Sequence, residues 1–182
     1  MRNTGYGVVE MDHNSIRVLD CGVIHNKANL KHTECVRRIF LGIRELITTF
    51  KVDAVSLETA FVNRNVKTAM ILSLARGAAI TSAAIEKIPV YEYSPKTAKR
   101  AAVGLGTASK EQVANVLASL CSLNVADIPD DSTDALALAV CHGNLVCRQG
   151  VSDHRFRLSL YRPPKEQRHR SAPQSLPAPM RT

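Results

Sequence analysis

No stretch of these 182 residues approaches the roughly 18 consecutive apolar positions that a membrane-spanning helix needs. Nor does the N-terminus carry the basic patch, apolar core and small-residue cleavage site of a secretory signal. Membrane insertion and export are therefore not expected, and the expected location is the cytoplasm. C-x-x-C spacing is also missing. The five cysteines, Cys21, Cys35, Cys121, Cys141 and Cys147, are scattered, and an odd count in a core-rich chain reads as reduced thiols rather than zinc ligands or a disulfide framework. No internal repeat is visible.

What is present bounds the chain from the other side. The length suits one domain, and an apolar fraction of 45% can supply its core. A formal charge of +8, from 24 Lys and Arg against 16 Asp and Glu, favours a polyanionic partner, most often nucleic acid. That charge is uneven. Residues 151–182 hold Arg155, Arg157, Arg162, Lys165, Arg168, Arg170 and Arg181 against Asp153 and Glu166, and so carry +5 of the +8. Five of the eight prolines also fall there, with few large apolar residues after Tyr161. Such a composition buries too little surface to order itself. The expectation is a domain over residues 1–150 and a basic, Pro-rich tail without fixed structure, either a solvated extension or a nucleic-acid arm.

Periodicity within residues 1–150 starts β and becomes α/β. Gly5 to Asp12 and Ile16 to Ile24 are β-rich runs joined by His13-Asn14-Ser15, which predicts a hairpin. Val36, Ile39, Phe40, Ile43, Leu46, Ile47 and Phe50 then recur at three- and four-residue steps, one apolar face of a helix. Residues 53–58 read as a short buried strand ending on Glu58. A helix over about 66–86 is apolar nearly all round and wants two partners, the sheet and another chain. Val90 to Tyr93 is a further strand, Ser94-Pro95 a helix start, and residues 110–120 and 132–144 are the remaining helices. The order indicates an α/β fold, a mixed sheet flanked by helices.

Chemistry concentrates in a few places. Asp131 and Asp134 are three residues apart in the first turn of an apolar helix, hence on one face. Helix capping and the helix dipole explain such acids equally well. Glu58 tips the balance, because a carboxylate ending a buried strand is costly unless it is paired or bound to a metal. Together the three acids form an oxygen-rich set suited to Mg²⁺, with Mn²⁺ as the alternative ion, and phosphodiester hydrolysis uses that arrangement. His142 is excluded as a further ligand. Eleven residues beyond Asp131, it lies roughly 16 Å along the helix axis and reads as a surface or packing histidine. Lys96, Lys99, Arg100 and Lys110 could hold DNA phosphates or simply face solvent. Gly104-x-Gly106 offers only a weak phosphate-loop signal, since no P-loop Lys-Ser/Thr follows. Phe61 is a candidate to stack on an unpaired base, or a local packing residue.

The segments "TGYGVV", "DAVSLETAF", "LSLARGAAI", "PVYEYSPKTAKRAAVGLGTASK" and "DSTDALALAVCH" resemble, in order and spacing, the RuvC-type Holliday-junction resolvases. The resemblance spans residues 4 to about 144. It implies an RNase H-like fold with strand order 3-2-1-4-5 and a homodimer that nicks two opposing strands of a four-way DNA junction with Mg²⁺. It also implies work alongside a RuvA–RuvB branch-migration complex in recombination and repair. By motif position, Glu58, Asp131 and Asp134 match the metal-binding carboxylates and Phe61 the aromatic that enters the opened junction. Lys99 and Lys110 match basic residues near the scissile phosphate, and the helix bearing Leu74-Ala75-Arg76-Gly77 matches the dimer interface.

One part of the pattern is not found. In the family "TGYG" follows a strand ending G-I-D-P-G, whose aspartate is the remaining metal ligand, and that strand would fall before Met1. The expectation is therefore a sheet lacking its first, central strand, in a sequence that starts at an internal methionine of an active resolvase. The alternative, because that aspartate is absent, is a junction-binding protein without nuclease activity or a decaying remnant.

Overall fold

The two β-rich runs at the start form an antiparallel hairpin, β1 (Asn3–Met11) and β2 (Ile16–His25). Asp12 closes its turn, accepting hydrogen bonds from the backbone N–H of Ser15 at 2.8 Å and from the Ser15 hydroxyl at 3.0 Å. The computed structural model describes residues 2–12, 15–59, 66–121, 124–148 and 156–161. After the hairpin come α1 (His32–Phe50), β3 (Ala54–Glu58), α2 (Val66–Ile85), β4 (Val90–Tyr93), α3 (Pro95–Val103) and α4 (Lys110–Cys121). A 3-10 turn at Val125–Asp127 leads into α5 (Asp130–Arg148), and the last described element is β5 (Phe156–Tyr161).

All five strands form one mixed sheet in the order β2-β1-β5-β3-β4. Side chains alternate between its faces, and the core divides accordingly. Val8, Val55 and Leu57 pack with Ile39, Ile43 and Ile47 of α1 and Ala75, Ala78, Ala79 and Ala83 of α2. Val9 and Ala54 face the other way, towards α3, α4 and α5, with Leu117, Leu136 and Leu138. Gly5 and Gly7 share the Val9 face. A Cβ on Gly5 would lie 1.8 Å from the backbone oxygen of Asp131, so glycine is what allows α5 to approach β1 so closely.

β5 corrects the sequence reading twice. The central position of the sheet, expected to be vacant, is filled, and the strand that fills it comes from the segment expected to have no fixed structure. β5 runs antiparallel to β1, pairing Tyr6 through Met11 with Tyr161 back to Phe156. It runs parallel to β3, pairing Ala54 through Leu57 with Leu158 through Tyr161. The physical reason is the slot itself. A gap there would leave the inner edges of β1 and β3 with unpaired N–H and C=O groups, at roughly 1–3 kcal/mol each if buried. The run Phe156-Arg157-Leu158-Ser159-Leu160-Tyr161 also alternates as a strand should.

By length and composition α2 could cross a membrane, but a third of its apolar window is buried inside this chain. Its small residues pack against α1, and the Ser82 hydroxyl donates to the Phe40 carbonyl at 2.9 Å. On its other side Val66, Met70, Leu74 and Ile85 are exposed, Val66 and Met70 by two thirds.

Candidate active site

Period-two alternation fixes where Glu58 points. Ala54 lies on the α5 face of the sheet, so Ser56 and Glu58 lie on that face too. Glu58 ends β3 beside Tyr93 of β4, and its backbone carbonyl accepts a hydrogen bond from the Arg76 guanidinium at 2.5 Å. Arg76 also forms an ion pair with Glu92. One charged side chain of α2 thereby ties the ends of β3 and β4 together.

Across from Glu58 stands the first turn of α5. Asp131 and Asp134 are both half-buried there. The Asp131 carboxylate accepts a hydrogen bond from the Asn3 side-chain amide at 3.1 Å, while Asp134 forms an ion pair with Lys110 at 3.3 Å. The start of α4 places Lys110. Ser109 and Gln112 form a reciprocal capping box, the Ser109 hydroxyl accepting from the Gln112 N–H at 3.1 Å and the Gln112 side chain from the Ser109 N–H at 2.8 Å. Lys110 is thus the first helical residue. Lys99 on α3 donates to the Ala108 carbonyl at 2.7 Å, which joins the α3–α4 connection to the same region. The α3 start is as read from sequence: the Ser94 hydroxyl accepts from the Thr97 N–H at 3.0 Å, with Pro95 in the first turn.

These elements enclose an open cleft of about 240 Å³ lined by Glu58, Lys99, Lys110 and Asp134, with Pro95, Ala98, Ala137 and Leu138 as its apolar wall. Two carboxylates and two lysines therefore converge. Asp131 is engaged by Asn3 instead, and among the described residues no three His, Cys, Asp or Glu side chains are grouped to hold one ion. The expected three-acid cluster is not drawn together. The donor set at the cleft still fits a hard divalent ion, which takes one or two carboxylates and completes its shell with water and phosphate. Phe61 lies outside the described residues.

Gly104 caps α3 with φ +80°, and its neighbour Gly106 lies against Lys96, so both glycines have local structural work. His142 is a packing histidine. It is buried, shares a 2.6 Å hydrogen bond between Nδ1 and the Tyr93 hydroxyl, and stacks at 4.2 Å on Tyr91. Burial holds its pKa below the usual value and pushes Tyr93 up to about 12, so this layer behind Glu58 is neutral at physiological pH. Sequence reasoning did not single out Asn3 or Arg76. Their contacts reach 128 and 18 residues along the chain and leave no local pattern. The S-x-x-Q spacing before α4 was a legible signal for the position of Lys110.

Comparison with known proteins follows the same residues. The family described as "Crossover junction endodeoxyribonuclease RuvC" matches residues 1–142. The protein of that name from Alkaliphilus metalliredigens is 42% identical over 140 residues, covering 77% of this chain and 85% of the relative. Its counterpart from Chlorobaculum parvum is 44% identical over 140 residues, covering 77% and 75%. Among solved structures, "T. thermophilus RuvC in complex with Holliday junction substrate" superposes with a TM-score of 0.76 at 31% identity, over 81% of this chain and 90% of that one. A second, "Thermus thermophilus RuvC structure", gives a TM-score of 0.71 at 29% identity, over 82% and 91%. The sheet and its helices are thus RNase H-like, and the chain belongs to the RuvC family of crossover junction endodeoxyribonucleases.

Proposed function

We propose that this protein resolves Holliday junctions, binding four-way DNA and hydrolysing one phosphodiester in each of two opposing strands. The observation that carries the reading is the cleft where Glu58 and Asp134 meet Lys99 and Lys110. Lys99 and Lys110 bind the phosphates flanking the scissile bond, drawing the backbone towards the acids. Glu58 and Asp134 hold the divalent ion, Mg²⁺ in the cell with Mn²⁺ as a substitute, and Asp131, which accepts from Asn3 in the chain alone, is the third carboxylate to serve it. When bound, that ion supplies Lewis-acid stabilisation of the developing charge and lowers the pKa of an attacking water. In the chain alone Lys110 neutralises Asp134, and the arriving phosphate competes for the same ammonium. Phe61, three residues beyond Glu58, stacks on a base at the opened centre of the junction.

The reading includes a homodimer built on α2, which sets two clefts for paired cuts, and a cytoplasmic role in recombination and repair beside RuvA–RuvB. Assay on a synthetic four-way junction with Mg²⁺ tests it. Paired nicks are expected, with Glu58→Gln and Asp134→Asn each slowing them at least about 10³-fold, equivalent to about 4 kcal/mol. A second reading, a junction-binding protein without nuclease activity, draws on the finding that, among the described residues, no three acidic side chains are grouped to hold one ion. Tight binding without nicks by the unmodified chain would favour it.

A further inference from the structure

Arg76 belongs to α2, yet its guanidinium sits at the end of β3. A charged side chain only 14% exposed is costly unless it is partnered, and Arg76 has two partners: the Glu58 carbonyl at 2.5 Å and the Glu92 carboxylate. Among the described residues β5 pairs with β3 as far as Leu57, so the Glu58 carbonyl lies one position beyond that pairing, and Arg76 supplies its donor. The Thr59 N–H meanwhile donates to the Tyr93 carbonyl at 2.9 Å. The planar peptide unit joining Glu58 to Thr59 is therefore held by both of its polar groups. Holding that plane aims the Glu58 side chain, because the bonds at its α-carbon keep their angles. Val90 packs with α2, so Glu92, two residues on, faces α2 as well, whereas Glu58 faces α5. Arg76 thus reaches Glu58 from behind the sheet and does not line the cleft.

We infer that Arg76 is a positioning residue for the reaction: it fixes the direction in which β3 presents the Glu58 carboxylate to the cleft, and so sets how well Glu58 and Asp134 together hold a divalent ion. The inference rests on the proposed function. Arginine suits the task because its planar fork offers two donors at once, one for the carbonyl and one for Glu92, where lysine is a point charge on a flexible stem. The hold on DNA is separate. Lys99 and Lys110 come from α3 and α4 and contact the Ala108 carbonyl and Asp134, not Arg76.

The test compares the full chain with its Arg76→Gln and Arg76→Lys variants. Affinity for a synthetic four-way junction, the nicking rate with protein in excess at limiting Mg²⁺, and calorimetric binding of Mn²⁺ to the chain without DNA are measured on each, with thermal melting as the check on folding. Arg76→Gln is expected to nick about 10- to 100-fold more slowly and to bind Mn²⁺ several-fold more weakly, while its junction affinity stays within about twofold of the parent's. Arg76→Lys should fall between the two, since an ammonium can still reach one of the two acceptors. Parent-like Mn²⁺ binding and nicking by Arg76→Gln would overturn the inference, as would a loss of junction affinity as large as the loss of rate, which marks a merely structural role. If Arg76→Gln does not melt cooperatively, Arg76→Lys carries the test, and Mn²⁺ binding and nicking equal to the parent's would overturn the inference there. A parent that binds Mn²⁺ but nicks no junction would overturn the function, and weaker Mn²⁺ binding by the variants would still support the hold of Arg76 on Glu58. A parent that neither nicks nor binds Mn²⁺ would overturn both.

Discussion

Gly5 bears on the site although it carries no side chain. An added Cβ meets the oxygen and carbon of the Asp131 backbone at 1.8 and 2.5 Å, and backbone at the start of a packed helix has nowhere to go. At Gly7 the same atom meets the end of the Leu136 side chain at 2.7 Å, which can turn aside. Gly5→Ala is therefore expected to cost about 1–3 kcal/mol or more and to push the first turn of α5, with Asp131 and Asp134, away from β3. In a chain of this size that is a fall in Tm of about 2–12 °C, with cleavage falling further than junction affinity. Gly7→Ala should do less on both measures; calorimetry and the nicking assay on the pair would show the reverse order if the close approach of α5 were unimportant. Residue by residue, the sequence offered Glu58, Asp131 and Asp134 as one carboxylate set, with Lys99 and Lys110 among the basic residues near it, and the structure lines one cleft with Glu58, Asp134, Lys99 and Lys110. Glu58 follows from a strand end and Asp134 and Lys110 from the first turns of helices, while Lys99 lies mid-way along α3. Asn3 was not legible, because its contact with Asp131 exists only after the hairpin and α5 have met.

Elements differ in how openly they announce themselves. α1 shows its buried stripe in the spacing of Ile39, Ile43 and Ile47, and α3 its start in Ser94-Pro95. α2 announces two partners, and the structure accounts for one of them. Val66, Met70 and Leu74 follow at four-residue steps, with Ile85 within about 100° of Val66 around the helix, a face left exposed beside the one that packs on α1. Introducing Met70→Glu and Leu74→Glu together should leave the monomer's melting within roughly 1 kcal/mol, since both positions are exposed. Under the proposed dimer, sedimentation should show a dimer for the unmodified chain and a monomer for the variant, and nicks on opposing strands should lose their coupling. A double variant that still sediments as a dimer would take α2 out of the interface. β5 was the least legible element. Its six alternating residues are a short signal inside a segment whose prolines and arginines argue for no structure, and a strand's fate is set by the partners it finds more than by local propensity.

Those partners decide the behaviour of the whole molecule. β1 with β2 and α5 forms one half of the sheet, β3 with β4 and α2 the other, and β5 pairs with both. Neighbouring strands stand about 4.8 Å apart, so removing β5 would part β1 from β3 by roughly 10 Å. That gap must either flood or collapse. Flooding wets Val8 and Val55 in the core; collapse brings β1 against β3 only if the helices on both faces repack. With several backbone groups unpaired at roughly 1–3 kcal/mol each, the loss rivals the whole stability of a domain, about 5–15 kcal/mol. A chain ending at residue 150 is accordingly expected to lose its cooperative thermal transition, whereas one ending at residue 161 keeps it. The comparison separates the strand from the basic residues after it, because both deletions remove Arg162 onward and only the first removes β5. A residue 1–150 chain that melts cooperatively within a few degrees of the full protein would show that the sheet closes without β5. The fold would then have to explain how β1 and β3 satisfy each other directly.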